Sequence, residues 1–158
     1  MSEVVATAQQ GLAGKYPPYP EYKDSGLEWL GEIPAHWNIS RIKYVAQLNP
    51  SKSEVRGLSD DTIVSFIPME AIGERGEIDV SRTRLLGDVL TGYSYITDGD
   101  VILAKITPCF ENGKAGLAKG LENGIGFGSS EFYVLRASAR VLPEYLYYMV
   151  TSNRFHEA

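Results

Sequence analysis

The chain has 158 residues, 44% of them apolar and 22% charged, which is the usage and length of one ordinary soluble globular domain. Its 15 basic and 20 acidic side chains leave a net charge of −5, an unfavourable overall sign for a nucleic-acid partner. Exposed charges are screened beyond roughly 8 Å at physiological salt, so a local basic stripe still acts while distant carboxylates are muted. A single cysteine excludes an internal disulfide framework and a cysteine-based zinc cluster. No apolar run approaches the ~20 residues of a membrane helix, and Met1–Gly14 lacks the basic start and apolar centre of a signal peptide. The expected location is the cytoplasm, without membrane contact.

Residues 1–18 read as a disordered tail running into Tyr16-Pro17-Pro18-Tyr19-Pro20, where proline blocks both helix and ladder. The next stretch, 25–37, is rich in breakers but carries Leu27, Trp29, Leu30, Ile33 and Trp37. It is expected to wrap the core, with both tryptophans as buried anchors. Residues 38–48 alternate as a strand would, with Ile42, Tyr44 and Ala46 on one face and Arg41 and Lys43 on the other. A second strand spans Thr62–Ile67, rich in β-branched residues and ended by Pro68. A polar, turn-rich stretch follows to Arg84, carrying Arg75 and Arg82.

Tyr93–Thr97 reads as a short strand, and Asp98-Gly99-Asp100 as a tight turn. Val101–Ala104 is apolar on both faces, which predicts a central strand. Ala115–Lys119 and Ile125–Phe127 flank Glu122-Asn123-Gly124, a hairpin signal. Another strand is expected over Glu131–Arg136. Pro143 opens a helix at its favoured first position, with Leu142, Tyr145, Leu146, Met149 and Val150 on one face. The fold class is therefore α+β: a bent, mainly antiparallel β-sheet with a few helices and a C-terminal helix.

Catalytic chemistry finds no foothold in these residues. Gly124-Ile125-Gly126-Phe127-Gly128 imitates a nucleotide loop, but no Lys-Ser/Thr pair follows and the next element reads as strand, not helix. Its glycines instead permit a twisted hairpin and close backbone approach. Asn49-Pro50-Ser51-Lys52 partly resembles the Asn-Pro-Pro-aromatic motif of adenine amino-methyltransferases, but lacks the second proline and the ring. Two histidines, His36 and His156, are too few for a convincing zinc site. Cys109 has no evident base, and Ser129 and Ser130 have no His-Asp partners at a recognisable spacing. No catalytic residue, metal ligand or cofactor of the chain's own is expected.

Recognition chemistry is better represented. The loop Ile106-Thr107-Pro108-Cys109-Phe110-Glu111-Asn112-Gly113-Lys114 follows an apolar strand and offers hydroxyl, amide and ammonium donors. Loops held on a rigid scaffold are where binding residues concentrate. The candidate DNA contacts are Arg41, Lys43, Arg82, Arg84, Lys105, Thr107, Asn112 and Lys114. An arginine meets guanine, and an asparagine meets adenine, through paired hydrogen bonds that discriminate by about 1–3 kcal/mol each. Two functions are open on the residues alone: a DNA-binding module, and a docking domain that joins other subunits through its aromatic and helical faces.

The stretch from Tyr19 through Ser25-Gly26-Leu27-Glu28-Trp29-Leu30-Gly31-Glu32-Ile33-Pro34-Ala35-His36-Trp37 resembles the start of specificity subunits of type I restriction-modification systems. So do Asp100–Lys114 and Gly126–Arg136, and Tyr145-Leu146-Tyr147-Tyr148-Met149 is similar to the helix that ends that family's target recognition domain. The resemblance covers 19–158 and implies one such domain, ending at the start of a helical spacer. It implies double-stranded DNA as ligand, with each domain reading half of a split site. It also implies two protein partners: a DNA adenine methyltransferase subunit and a restriction motor-nuclease subunit. S-adenosylmethionine, ATP and Mg would belong to those partners. Base-reading positions vary within the family, so the contact residues rest on charge and loop position.

Overall fold

The computed structural model describes residues 16–105 and 114–152 and divides into two units, Met1–Ser40 and Arg41–Ala158. Thr107, Cys109, Asn112 and His156, and the tail as far as residue 15, lie outside the described residues.

In the first unit, β1 (Tyr22–Asp24) pairs antiparallel with β2 (Glu32–Pro34). The connection is closed by Gly26 and Gly31, both at positive φ, and by the Asp24 carboxylate accepting from the Gly26 N–H at 2.8 Å. The expected burial of the tryptophans is overturned: Trp29 is 50% and Trp37 43% exposed. The reason is size. A unit of two three-residue strands cannot cover two indoles, because the fraction of surface buried falls steeply in small units. Trp37 instead joins a surface cluster of rings with Tyr19 (6.0 Å, edge-on) and His36.

The second unit holds two four-stranded sheets. One has the order β3 (Ala46–Leu48), β10 (Phe132–Ala137), β7 (Val101–Ala104), β8 (Ala115–Leu117), all antiparallel. The other has the order β5 (Thr83–Leu85), β4 (Ile63–Ile67), β9 (Ile125–Gly128), β6 (Ser94–Thr97). Its β4–β9 pair is parallel and the rest antiparallel. Among the described residues two short helices complete the unit, α1 (Leu86–Val89) and α2 (Pro143–Thr151), the latter with its proline in the first turn. The α+β class and mainly antiparallel pairing match the sequence reading.

Strand alternation explains the layering. Ile67, Ile96, Ile102, Phe132 and Val134 form one apolar cluster drawing on both sheets. Their neighbours turn the other way: Val101, Leu103 and Leu135 pack with Leu146 and Val150 of α2, while Val64, Tyr95 and Phe127 pack with Leu86 and Val89 of α1. β7 is buried on both faces, as its unbroken apolar run predicts. Each fully buried side chain such as Phe132 contributes about 1.5–3 kcal/mol from area alone. Gly128 faces the shared layer, where a Cβ would sit 2.7 Å from the Phe132 ring and 2.9 Å from the Ile67 carbonyl oxygen.

Three further expectations are corrected. Residues 42–44 are a 3-10 turn, not a strand: the Val45 N–H donates to the Ile42 carbonyl at 2.9 Å, and extended structure begins only at Ala46. Arg41 and Lys43 therefore do not alternate along a sheet face. The segments around Glu122-Asn123-Gly124 do not form a hairpin. Asn123 and Gly124 do turn at positive φ, but β8 lies in one sheet and β9 in the other. Along α2, Leu146 and Val150 are buried, whereas Leu142 and Tyr145 are exposed, because the short helix presents only one narrow stripe to the sheet.

Candidate nucleic-acid interface

Between the sheets lies a cleft of about 260 Å³ lined by Asn49, Pro50, Lys52, Tyr93, Ser94, Tyr95, Lys105, Phe132 and Val134. The turn after β3 builds one wall. Asn49 takes a left-handed backbone (φ 48°), which asparagine tolerates better than most residues. Its N–H donates to the Val134 carbonyl at 2.7 Å, and its Oδ1 accepts from the Val134 N–H at 2.9 Å. The amide that resembled a methyltransferase motif thus extends the pairing with β10. Ser51 then caps the following 3-10 turn, its Oγ accepting from the Ser53 N–H at 3.2 Å. From that turn Lys52 joins the cleft lining, and Glu54 meets the hydroxyl of Tyr95, another lining residue.

Two lysines belong to this lining. Lys52 Nζ donates to the Leu90 carbonyl at 2.8 Å and lies 6.0 Å from the Phe127 ring centre. Lys105 Nζ donates to the Ser130 carbonyl at 2.9 Å and lies 5.1 Å from the Tyr133 ring centre. Each is held by one backbone oxygen and keeps two further N–H donors. Among the described residues neither makes an ion pair with a carboxylate.

Behind Tyr95 the situation reverses. Arg136 donates through Nε to Asp100 Oδ1 at 2.9 Å and through Nη2 to Oδ2 at 3.0 Å, a two-pronged pair. Its Nη1 reaches Glu54 at 2.8 Å, and the Tyr95 hydroxyl donates to the same carboxylate at 2.9 Å. Asp100 is buried and also accepts from the Thr97 N–H at 2.8 Å. The Arg136 hydrogen bond holds the Glu54 carboxyl below its ordinary range. Burial, then the bond to Glu54, pushes the Tyr95 hydroxyl up to about 12. Arg136 is held above its already high value, chiefly by Asp100.

Of the six described cations singled out by sequence, the cleft takes Lys105. Arg82 pairs with Glu70 at 3.0 Å, and Lys114 adds its field to the same carboxylate. Arg84 is on edge strand β5, its guanidinium 4.8 Å from the Phe66 ring centre and its Nη1 donating to the Thr83 carbonyl at 2.8 Å. Lys43 rests 5.0 Å from the ring centre of its neighbour Tyr44, with Arg41 just before it. Sequence reasoning passed over Lys52, whose segment was weighed only as a methyltransferase motif. It also passed over the Asp100–Arg136 pair, whose 36-residue separation leaves no local trace. Among the described residues no cluster of three or more His, Cys, Asp or Glu could hold a metal, and no helix is long and apolar enough to cross a membrane.

No protein-family model matches the chain. It is 34% identical over 145 residues, 89% of its length, to the type I restriction enzyme EcoAI specificity subunit of Escherichia coli, covering 23% of that protein. It is 43% identical over 107 residues, 66% of its length, to the EcoEI specificity subunit of the same organism, covering 17% of it. Two solved structures share the fold. One is a chain from a type I restriction-modification system solved for its complex assembly and conformational transition. Its TM-score is 0.58 at 23% identity, over 75% of this chain and 30% of that one. The other is the HsdS subunit from Thermoanaerobacter tengcongensis, with TM-score 0.59 at 19% identity, over 92% of this chain and 33% of that one. The chain spans less than a quarter of the length of the curated relatives it matches. Over that span it belongs to the specificity-subunit family of type I restriction enzymes, in a region that corresponds to a target recognition domain.

Proposed function

We propose that this chain is a sequence-specific DNA-binding domain that reads one half of a bipartite target. Adenine methylation and cleavage at that target would be performed by partner subunits. The observation that carries the reading is the 34% identity to a specificity subunit across 89% of the chain. The domain itself does no chemistry; S-adenosylmethionine, ATP and Mg serve the methyltransferase and motor-nuclease partners, and the complex works in the cytoplasm. Cations hold backbone phosphates and set the register, while loop donors read base edges. Lys105, Arg84, Lys114, Arg82, Lys43 and Arg41 are the proposed phosphate contacts, and Thr107 and Asn112 the proposed loop donors.

The test is binding of short duplexes by fluorescence anisotropy over a range of salt. The domain alone is expected to bind near the nonspecific range of ~10⁻⁴–10⁻⁶ M, weakening steeply with salt. Replacing Lys105 and Lys114 by alanine is expected to weaken binding and flatten the salt dependence. Salt-insensitive or absent duplex binding, with association to a methyltransferase subunit retained, would mark a docking domain instead.

A further inference from the structure

Arg82 and Arg84 flank Thr83 at the start of edge strand β5, and they end in different states. Arg82 is taken by the Glu70 carboxylate at 3.0 Å. Arg84 has no carboxylate partner among the described residues. Its guanidinium lies over the Phe66 ring instead, 4.8 Å from the ring centre. Strand register brings this about. Arg84 stands opposite Val64 in the β5–β4 pair, and Phe66 follows Val64 by two residues on the same face of β4. Diagonal neighbours of this kind are within reach of aromatic and long side chains. The ring is itself held. It packs against the cluster of Val64, Tyr95 and Phe127, and the Tyr93 ring meets it edge-on at 5.3 Å and 88°. A further bond sets the rotation of the guanidinium on this platform: Nη1 donates to the Thr83 carbonyl at 2.8 Å. The Nε and Nη2 N–H groups are left without an acceptor among the described residues. Together they form one edge of the planar fork, which matches two oxygens of a single phosphate. Every residue of β5 is exposed, and β5 ends its sheet.

We propose that Phe66 is a positioning residue for DNA binding: its ring holds the Arg84 guanidinium so that Nε and Nη2 together grip one backbone phosphate. The inference rests on the DNA-reading function above and deepens it, naming how one of the cations is held and which ring holds it. A loose arginine gives up rotamer freedom when it binds, and that loss weakens the contact. An arginine already laid on a ring has given up part of that freedom in the unbound protein. The ring carries no charge, so it acts on affinity and leaves the number of phosphates contacted unchanged.

The experiment measures duplex affinity of the 158-residue chain over a range of salt, with thermal melts to verify that each variant folds. Arg84→Gln removes one phosphate contact and is expected to lower the slope of log K against log salt by about 0.9. Phe66→Leu is expected to weaken binding about two- to fivefold, the scale of a cation–π contact at an exposed site, with the slope unchanged. Phe66→Met, closer in length, takes its place if Phe66→Leu does not fold. Phe66→Tyr keeps the ring and is expected to bind as wild type does. In the Arg84→Gln background Phe66→Leu is expected to have no further effect, an outcome that a merely structural role would not give. Arg84→Lys keeps the charge but not the fork, so its slope should hold while its affinity falls. A folded Phe66→Leu variant that binds like wild type overturns the proposal. So does one that weakens binding equally with and without Arg84, or a Phe66→Tyr variant no better than Phe66→Leu. Wild-type affinity in Arg84→Lys overturns the two-bond grip. If wild type itself shows no salt-dependent duplex binding, the DNA-reading function falls together with this proposal; if wild type binds and Arg84→Gln matches it in affinity and slope, only the Arg84 contact falls.

Discussion

Two polar regions meet at Tyr95 and differ in how their charges are balanced. On one side, Arg136 is closed off by Asp100 and Glu54, with the Tyr95 hydroxyl completing the set. On the other, Lys52 and Lys105 belong to a cleft lining, donate to carbonyl oxygens and make no ion pair among the described residues. The first arrangement suits a scaffold, because a buried charge without a partner is costly. The second suits a binding surface, because its positive charge is still available. A net charge of −5 therefore says little about local charge: what matters is which cations carboxylates already neutralise.

The comparison breaks most severely at Arg136. Arg136→Ala leaves Asp100 buried without its cation, and removing one partner of a buried pair costs about 3–5 kcal/mol. Urea denaturation is expected to show a loss of that size, against no more than ~1 kcal/mol for Lys119→Ala, whose pair with Glu144 is exposed on both sides. Comparable losses in the two variants would erase the distinction between scaffold and surface charge.

Next in size is Gly128→Ala. The new methyl group would meet both the Phe132 ring and the Ile67 backbone, and overpacking of this kind costs about 1–3 kcal/mol. Gly57→Ala, with open space around its Cβ position, is the control, and the two thermal midpoints should separate clearly.

The smallest effect at neutral pH is titration of the network. The folded state raises the Tyr95 hydroxyl from 10.0 to about 12, so it binds that proton more tightly than the unfolded chain does. The resulting stability is present below about pH 10 and is lost as pH rises through about 12. Glu54 has the opposite sign. Its lowered value gives stability present above the ordinary carboxylate value of 4.5 and lost as pH falls through the folded value. Tyr95→Phe should flatten the alkaline limb of stability against pH, and Glu54→Gln the acid limb. A Tyr95→Phe variant that still loses stability as before between pH 10 and 12 would place that limb elsewhere.

What the sequence made legible follows the range of the physics involved. Strands β4, β6, β7 and β10 were readable because β-branched and apolar runs are local, and the start of α2 because proline at a first helical turn is local. The Asn123-Gly124 turn was readable too, but its consequence was not: a turn states that the chain reverses, not which sheet receives it. Period-two alternation suggested a strand over 38–48, but short-range 3-10 hydrogen bonds prevail at 42–44 and only Ala46–Leu48 is extended into a strand. Trp29 and Trp37 misled because hydrophobicity states what a side chain prefers, whereas burial depends on how much chain is there to cover it. Within the candidate site Lys105 was found through its position at a strand end. Lys52 and Arg136 were missed because their partners lie 38 and 36 residues away.

The one parallel pair among the described residues, β4 with β9, has a consequence for how such a domain is inherited. β9 sits between β4 and β6, and β10 sits between β3 and β7, so each sheet needs early and late segments of the chain. Ser65 waits for Gly126, and Ala137 returns to Ala46. A crossover within 41–152 would therefore leave both sheets with mismatched strands. Recombination would be tolerated better with breakpoints outside this interlaced body, so that it is passed on whole.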